Sequence, residues 1–487
     1  MGHTSLLLVV AATATALSIP FVRRFDIMEH IDASVGRNSV AGVPDQWFET
    51  QKLDHFDASN EAVWKQRFFT NDAFYGGAGS PVFIYLNGEN VASNTTVTTP
   101  GLFMNVLAKK HKAFVVALEH RYYGKSQPMP DLSTANLKYL SANQALHDLA
   151  RVQDHVIATY DLGESPWVVF GGSYPGMLAA WSKLTFSDRF LGAVASSGPI
   201  RAKADYFEYG DVVAFGLQYY GKEQCVDAVQ QALEAFDALV GSSQSDDAAH
   251  LDKLFKPCTP LEDDFDRAAI ESNVFGNFQN LAQGNDVAAS NLKTTCDAFV
   301  KEDGQSPLEK LAAFNHAVFP DCTPSSYADT VVGVVNNTNY TTTRIYRQWI
   351  YQTCAEFGFG QTTKTATSLF KALTFASTDK ILYDMCDQAY GISKDETDAA
   401  IAATNDKYGG LSIDVENVIF PNGNIDPWSA LGLTNATGVV NAASQIVHID
   451  GTSHCGDMFA PKPTDSASLQ WAHERIEVFV DQLLESY

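Results

Sequence analysis

Basic residues are in short supply. The chain has 487 residues, with 33 Lys and Arg against 57 Asp and Glu, for a formal net charge of −24. Nucleic acids are gripped through clustered Lys and Arg, so nucleic acid is excluded as a partner. The surplus of carboxylates favours solubility and would be partly neutralised in an acidic compartment. No cysteine precedes Cys225. There is no CxxC pair, no HExxH stretch and no zinc-finger spacing, so no metal site is expected and no cofactor is implied. Beyond the N-terminus no apolar run reaches the length of a membrane helix, and no membrane anchor is expected. Internal repeats and low-complexity tracts are missing. So is the HGGG stretch with which lipases and esterases build an oxyanion site.

What is present begins at the N-terminus. Leu6–Ala16 is apolar and small, and Ala14-Thr15-Ala16 offers an A-x-A cleavage site, so 1–18 reads as a signal peptide. Residues 19–45 are polar and irregular, a propeptide or flexible arm. Six of the seven cysteines lie between Cys225 and Cys386 (Cys225, Cys258, Cys296, Cys322, Cys354, Cys386), and Cys455 is the odd one, free or tied to another chain. In a secreted chain such a cluster reads as disulfides, with 15 pairings open. Sequons at Asn94, Asn336, Asn339 and Asn435 fit glycosylation. The destination is then the secretory pathway, either extracellular or lysosomal/vacuolar.

The apolar content of 45% marks a globular chain. Apolar runs at 81–86, 113–118, 167–170 and 191–197 read as strands, and 141–160 has helical spacing through Ala145, Leu149, Val152 and Val156. That alternation implies an α/β domain, a mostly parallel sheet with helices on both faces. From 202 to 405 the pattern turns helical, as at 221–240 and 365–375. Strand character returns at 415–420 and 445–449, and 468–485 closes with a helix. The expected organisation is an α/β domain in two parts, 46–201 and 406–487, interrupted by a helical, disulfide-bearing cap at 202–405.

Gly171-Gly172-Ser173-Tyr174-Pro175 lies between a strand and a helix, the layout of a nucleophile elbow, G-x-S-x-G. Pro175 stands where that motif has glycine. It would fall in the first helical turn, where its missing N–H is unneeded. A serine hydroxyl requires a base, an acid to orient the base, and donors for the oxyanion. Asp426 follows one C-terminal strand and His454 follows the next, in the order Ser, Asp, His. His120, His448 and His473 are the rival bases; Asp414, Asp450 and Asp457 are the rival acids. The Tyr174 N–H serves the oxyanion, and Gly88 in Asn87-Gly88-Glu89-Asn90 is the candidate second donor. Trp349, Tyr351 and Trp428 are candidate walls of a substrate pocket. A free amine on a peptide calls for Asp or Glu, and a free carboxylate for Arg, Lys or His; Glu89 leans toward the amine. An esterase and a non-catalytic binding protein on the same scaffold are the rival readings.

Further blocks carry a resemblance. They are Leu53-Asp54-His55-Phe56 with Trp64–Phe69, Glu119-His120-Arg121-Tyr122-Tyr123-Gly124-Lys125-Ser126, Ala195–Pro199, Arg347–Cys354 with Glu356-Phe357-Gly358, Asn422–Trp428 and Gly451–Cys455. Together they resemble the family of lysosomal Pro-X carboxypeptidase, dipeptidyl peptidase II and thymus-specific serine protease. The resemblance implies an α/β-hydrolase with a helical cap. It implies a serine peptidase with Ser173, Asp426 and His454 as its triad, cutting peptide substrates after proline, often at acidic pH. Pro175 and Ser453-His454-Cys455 look more like the thymus-specific branch. Asn87-Gly88-Glu89-Asn90 departs from the G-N-E-G-type stretch of the carboxypeptidase-like members. A homodimer is left open.

Overall fold

The computed structural model describes residues 26–36, 40–287, 290–342 and 345–487. The expected signal peptide at 1–18 lies outside them. Eight strands form one sheet: β1 (Gln46–Lys52), β2 (Val63–Asn71), β3 (Val82–Leu86), β4 (Phe114–Leu118), β5 (Trp167–Gly172), β6 (Gly192–Ser196), β9 (Val418–Gly423) and β10 (Gln445–Ile449). Two short strands, β7 (Lys203–Asp205) and β8 (Gly358–Gly360), pair separately. The order across the main sheet is β1-β2-β4-β3-β5-β6-β9-β10. The β1–β2 and β2–β4 pairs are antiparallel and the rest are parallel. This is an α/β-hydrolase fold.

The central strands are apolar at every position because both faces are covered. Val82, Ile84 and Leu86 of β3 point into one core, with helices Ala142–Tyr160 and Tyr174–Thr185. Phe83 and Tyr85 point into the other, with helices Phe103–His111 and Ala467–Glu485. The β1–β2 hairpin adds two strands to those expected from the sequence.

Between β6 and β9 the chain is mostly helical and carries three disulfides, Cys225–Cys296, Cys258–Cys322 and Cys354–Cys386. Cys455 is free and buried. Two expectations need correction. Part of the supposed irregular arm is a helix, Ile27–Val35, capped by Asp26 and stopped at Gly36. Met28 and Ile31, one turn apart, bury against the sheet, which gives that segment a packing reason to order. The segment 365–375 is not a regular helix. It holds only a 3-10 turn, Leu369–Ala372. The Thr365 hydroxyl accepts from the Thr367 and Ser368 N–H groups, and such local bonds compete with a helix.

Candidate active site

The first sharp feature is a backbone conformation. Ser173 has φ 65 and ψ −132, between the end of β5 and helix Tyr174–Thr185. A non-glycine residue at positive φ is strained, and that strain must be held by its surroundings. The Ser173 N–H donates to the Ser196 carbonyl at 3.0 Å, and the Ser173 carbonyl accepts from Gly176 N–H at 2.8 Å. The close approaches at this corner are made by Gly171 and Gly176, where an added Cβ would meet the Pro175 carbonyl at 2.1 Å and the Ser196 carbonyl at 2.5 Å. Pro175 sits in the first helical turn. Ser173 is partly exposed, whereas Gly171, Gly172 and Tyr174 around it are buried.

The other components arrive from the C-terminal ends of neighbouring strands, where open α/β sheets bind ligands. Asp426 follows β9 and His454 follows β10. His454 Nδ1 lies 2.9 Å from Asp426 Oδ1 and 3.0 Å from Oδ2. Both side chains are fully buried. Burial opposes the imidazolium, but the adjacent Asp426 carboxylate outweighs it and raises the His454 pKa well above its usual range. Asp426 also accepts from Trp428 N–H at 3.0 Å. It is therefore a turn former as well as a histidine partner.

Asn424 ties the two loops together. Its N–H donates to the Ile449 carbonyl at 3.0 Å, its side-chain carbonyl accepts from Gly451 N–H at 2.8 Å, and its side-chain N–H donates to Asp450 at 2.6 Å. The Cys455 N–H donates to Ser197 Oγ at 2.9 Å, which fastens the histidine loop to the end of β6. A Cβ on Gly172 would meet Cys455 Sγ at 3.0 Å, so the histidine loop packs directly against the residue before Ser173. The cap grips this loop as well. Ser453 N–H donates to Asp286 at 2.7 Å, and Ser453 Oγ donates to the carbonyls of Ala282 and Gln283.

The rival acids and bases are engaged elsewhere. Asp450 accepts from Asn424 and Tyr219, Asp414 from Asn441, and Asp457 from Ser196 Oγ at 2.5 Å. His448 lies within β10. His473 Nε2 bonds the Asp457 carbonyl at 3.0 Å. His120 is buried behind Tyr174.

Gly88 follows β3. Asn87 anchors this loop by donating twice to the Leu118 carbonyl, at 3.0 Å from its N–H and 2.9 Å from its side chain. A Cβ on Gly88 would meet Pro175 Cγ at 2.5 Å and Tyr174 Cδ1 at 3.5 Å. The loop thus lies on the elbow. Tyr174 is the first residue of its helix, where an N–H has no i−4 acceptor within the helix. Glu89 is only partly exposed; burial raises its pKa to about 7, opposed by its own backbone N–H and by His454.

Trp428 lies 6.3 Å from His454, ring centre to ring centre, and 5.3 Å from Phe359. Phe359 in turn stacks on Trp349 at 6.5 Å. Trp349, Phe359 and Trp428 line one pocket with Met385 and Leu382. Tyr351 is not part of that wall; it packs on Tyr390 at 5.4 Å. Phe359, which directly follows the Glu356-Phe357-Gly358 block, is not among the pocket residues expected from the sequence. Asn94, Asn336, Asn339 and Asn435 are all exposed. Among the described residues there is no helix long and apolar enough to cross a membrane and no cluster of potential metal ligands.

Glu119-His120-Arg121 is largely structural. Glu119 accepts from Arg67, Ala92 N–H, Lys125 N–H and Ser126 Oγ. Arg121 pairs with both oxygens of Asp148 at 2.6 Å.

Residues 51–476 match the profile described as serine carboxypeptidase S28. Human thymus-specific serine protease is 32% identical over 465 residues, 91% of this chain and 87% of that protein. The mouse thymus-specific serine protease is 33% identical over 454 residues, 89% and 86% of the two chains. Human lysosomal Pro-X carboxypeptidase is 27% identical over 458 residues, 89% and 88%.

Proposed function

The chain belongs to the serine carboxypeptidase S28 family and is a serine-type peptidase, and from that premise we propose that it is an exopeptidase cutting after proline with a Ser173-Asp426-His454 triad. The observation that carries this reading is the buried His454–Asp426 pair on a loop packed against the strained Ser173 elbow. Asp426 holds the proton on Nδ1, which leaves Nε2 as the base. His454 takes the Ser173 proton as Oγ attacks the scissile carbonyl. The oxyanion is met by the N–H of Tyr174 and a backbone N–H at Gly88. His454 then protonates the leaving amine, and water repeats the sequence on the acyl-enzyme.

Trp349, Phe359 and Trp428 form an apolar wall suited to a proline ring. The Trp428 indole N–H is buried and has no acceptor among the described residues. Glu89 supports recognition of a free amino terminus, hence release of dipeptides. Arg347, the cation of the cap stretch Arg347–Cys354, is committed to the carbonyls of Leu132, Val335 and Ala389 and to Thr134. It is therefore not available for a substrate carboxylate. Three disulfides and four exposed sequons fit passage through the secretory pathway.

The test is mass spectrometry of products from a proline-containing peptide library at pH 5 and pH 7, with Ser173→Ala as control. Dipeptides from free N-termini are expected. Loss of single C-terminal residues would instead mean a carboxypeptidase. Products that persist with Ser173→Ala would sink the triad.

A further inference from the structure

The Tyr174 side chain plays no part in the scheme above, yet it is among the most constrained groups in the protein. Its phenol oxygen lies 2.9 Å from His120 Nε2 and 3.0 Å from Gln352 Nε2. Tyr174, His120 and Gln352 are all buried, at 1%, 4% and 0% exposure, so no solvent shares these bonds.

The donor order can be worked out from chemistry. His120 Nδ1 lies 2.7 Å from the Arg121 carbonyl, which can only accept, so Nδ1 carries the proton. Burial lowers the His120 pKa to about 4, so the ring is neutral. Its Nε2 must then accept, and the Tyr174 O–H donates to it. The phenol oxygen accepts from the Gln352 amide N–H. The other amide hydrogen faces Glu356 Oε2 at 3.5 Å, and the Gln352 carbonyl accepts from Tyr123 O–H at 2.6 Å. Tyr123 → Gln352 → Tyr174 → His120 → Arg121 is thus one directed chain with each partner assigned.

This chain joins two stretches that the triad does not use. His120 and Tyr123 belong to Glu119–Ser126 at the end of β4. Gln352 ends the cap helix Tyr346–Gln352. Both meet on the residue after the nucleophile. Ser173 is strained, and rotation of the Ser173–Tyr174 peptide would relieve the strain while turning the Tyr174 N–H away from the oxyanion. A phenol fixed at its far end by two buried bonds opposes that rotation.

We infer that His120 and Gln352 are positioning residues that act through the Tyr174 phenol to hold the Tyr174 N–H on the oxyanion, so that the cap helps set the catalytic geometry as well as the pocket. The inference rests on the serine-peptidase reading of the same site. It is tested with His120→Leu, which removes the acceptor, His120→Gln, whose amide oxygen can replace Nε2, and Tyr174→Phe. Three readouts are taken on the full chain: kcat and KM on the best library peptide, affinity for a peptide aldehyde that forms a tetrahedral adduct with serine, and the rate of fluorophosphonate labelling. Loss of kcat on the order of tenfold or more is expected in His120→Leu and Tyr174→Phe, consistent with misplacement of a catalytic group. KM should hold, and aldehyde affinity should fall by the same factor as kcat. His120→Gln should recover most of both.

Equal kcat in Tyr174→Phe and wild type would overturn the inference. So would His120→Gln being as slow as His120→Leu, or a fall in kcat with unchanged aldehyde affinity. If His120→Leu does not fold, Gln352→Met carries the same comparison, because it fills the space without donating. Wild type that fails to react with fluorophosphonate would refute the serine-peptidase reading itself, and that result is distinct from any difference among the variants.

Discussion

Gly88 lies against the ring of Pro175, so close that a methyl group on Gly88 would sit 2.5 Å from Pro175 Cγ. The proline that replaces the elbow glycine and the glycine of the neighbouring loop are therefore a matched pair. Gly88→Ala should push the loop off the elbow and separate the two proposed oxyanion donors. Overpacking of this kind costs about 1–3 kcal/mol. If all of it fell on the transition state, kcat would drop roughly 5- to 150-fold. Pro175→Gly in the same chain opens the space and should restore part of the loss. A double-mutant cycle in kcat/KM checks this, and additive effects would show that loop and elbow are independent.

Asp426 contacts both His454 Nδ1 and the Trp428 N–H, and the first of these should matter most for catalysis. Asp426→Asn keeps the shape but offers its amide N–H to His454 Nδ1, favouring the wrong tautomer. A fall in kcat on the order of 10⁴ is expected with little change in KM. The pH profile gives an independent check. Asp426 stabilises the imidazolium and so raises the His454 pKa. The proposed base must be neutral, so wild-type kcat/KM should rise as pH climbs through that pKa. Removing the charge should shift the acid limb of the residual activity to lower pH; a shift upward would contradict the assignment.

Glu89 titrates within the working range, at about pH 7, chiefly because burial disfavours its charge. Above that pH it is a carboxylate able to hold an ammonium group; below, it is neutral. KM for dipeptide-releasing substrates should therefore increase as pH falls below about 7, with kcat less affected. Glu89→Gln should raise KM at pH 8 and flatten that dependence. The stability sign is opposite. The folded pKa exceeds the ordinary glutamate value of about 4.5, so the native state holds the extra proton and loses relative stability as pH rises from about 4.5 to about 7. The Tm of Glu89→Gln relative to wild type should accordingly be higher at pH 8 than at pH 4.

Much of the framework was legible because it rests on local patterns. The runs at 81–86, 113–118 and 167–170 are apolar throughout, as strands buried on both faces must be, and they became β3, β4 and β5. Ser173 follows the run that became β5, whereas the expected partners Asp426 and His454 follow β9 and β10, and β10 (Gln445–Ile449) is mixed in polarity and only partly buried. The β1–β2 hairpin was harder to see, since half of its residues face solvent and Gln46–Lys52 carries few apolar residues. Long-range partners left no local trace. Phe359 reaches the pocket only because β8 pairs with β7. Tyr351 carries the same aromatic signal as Trp349 two residues earlier, but two residues on a helix turn a side chain to another face. The pairing of six cysteines, likewise, depends on which cap helices meet.

One of those pairings gives a last prediction. Cys354–Cys386 joins the turn just after Gln352 to helix Lys380–Tyr390, with a sequence separation of 32. The same turn leads into β8 and Phe359, and Met385 beside Cys386 lines the pocket. Cys258–Cys322 spans a separation of 64 and sits elsewhere in the cap, beside the Pro257–Thr323 bridge. Because the constraint on the unfolded chain grows only slowly with loop length, replacing either pair by alanine should lower stability by a similar amount, roughly 3–4 kcal/mol. Their effects on recognition should differ. Loss of Cys354–Cys386 loosens the Trp349–Phe359–Trp428 wall and should raise KM for proline substrates severalfold, whereas loss of Cys258–Cys322 should leave KM unchanged. Urea unfolding under non-reducing conditions measures the first quantity, and steady-state kinetics at a temperature where both variants remain folded measures the second. Equal KM in the two variants would separate the aromatic wall from substrate binding.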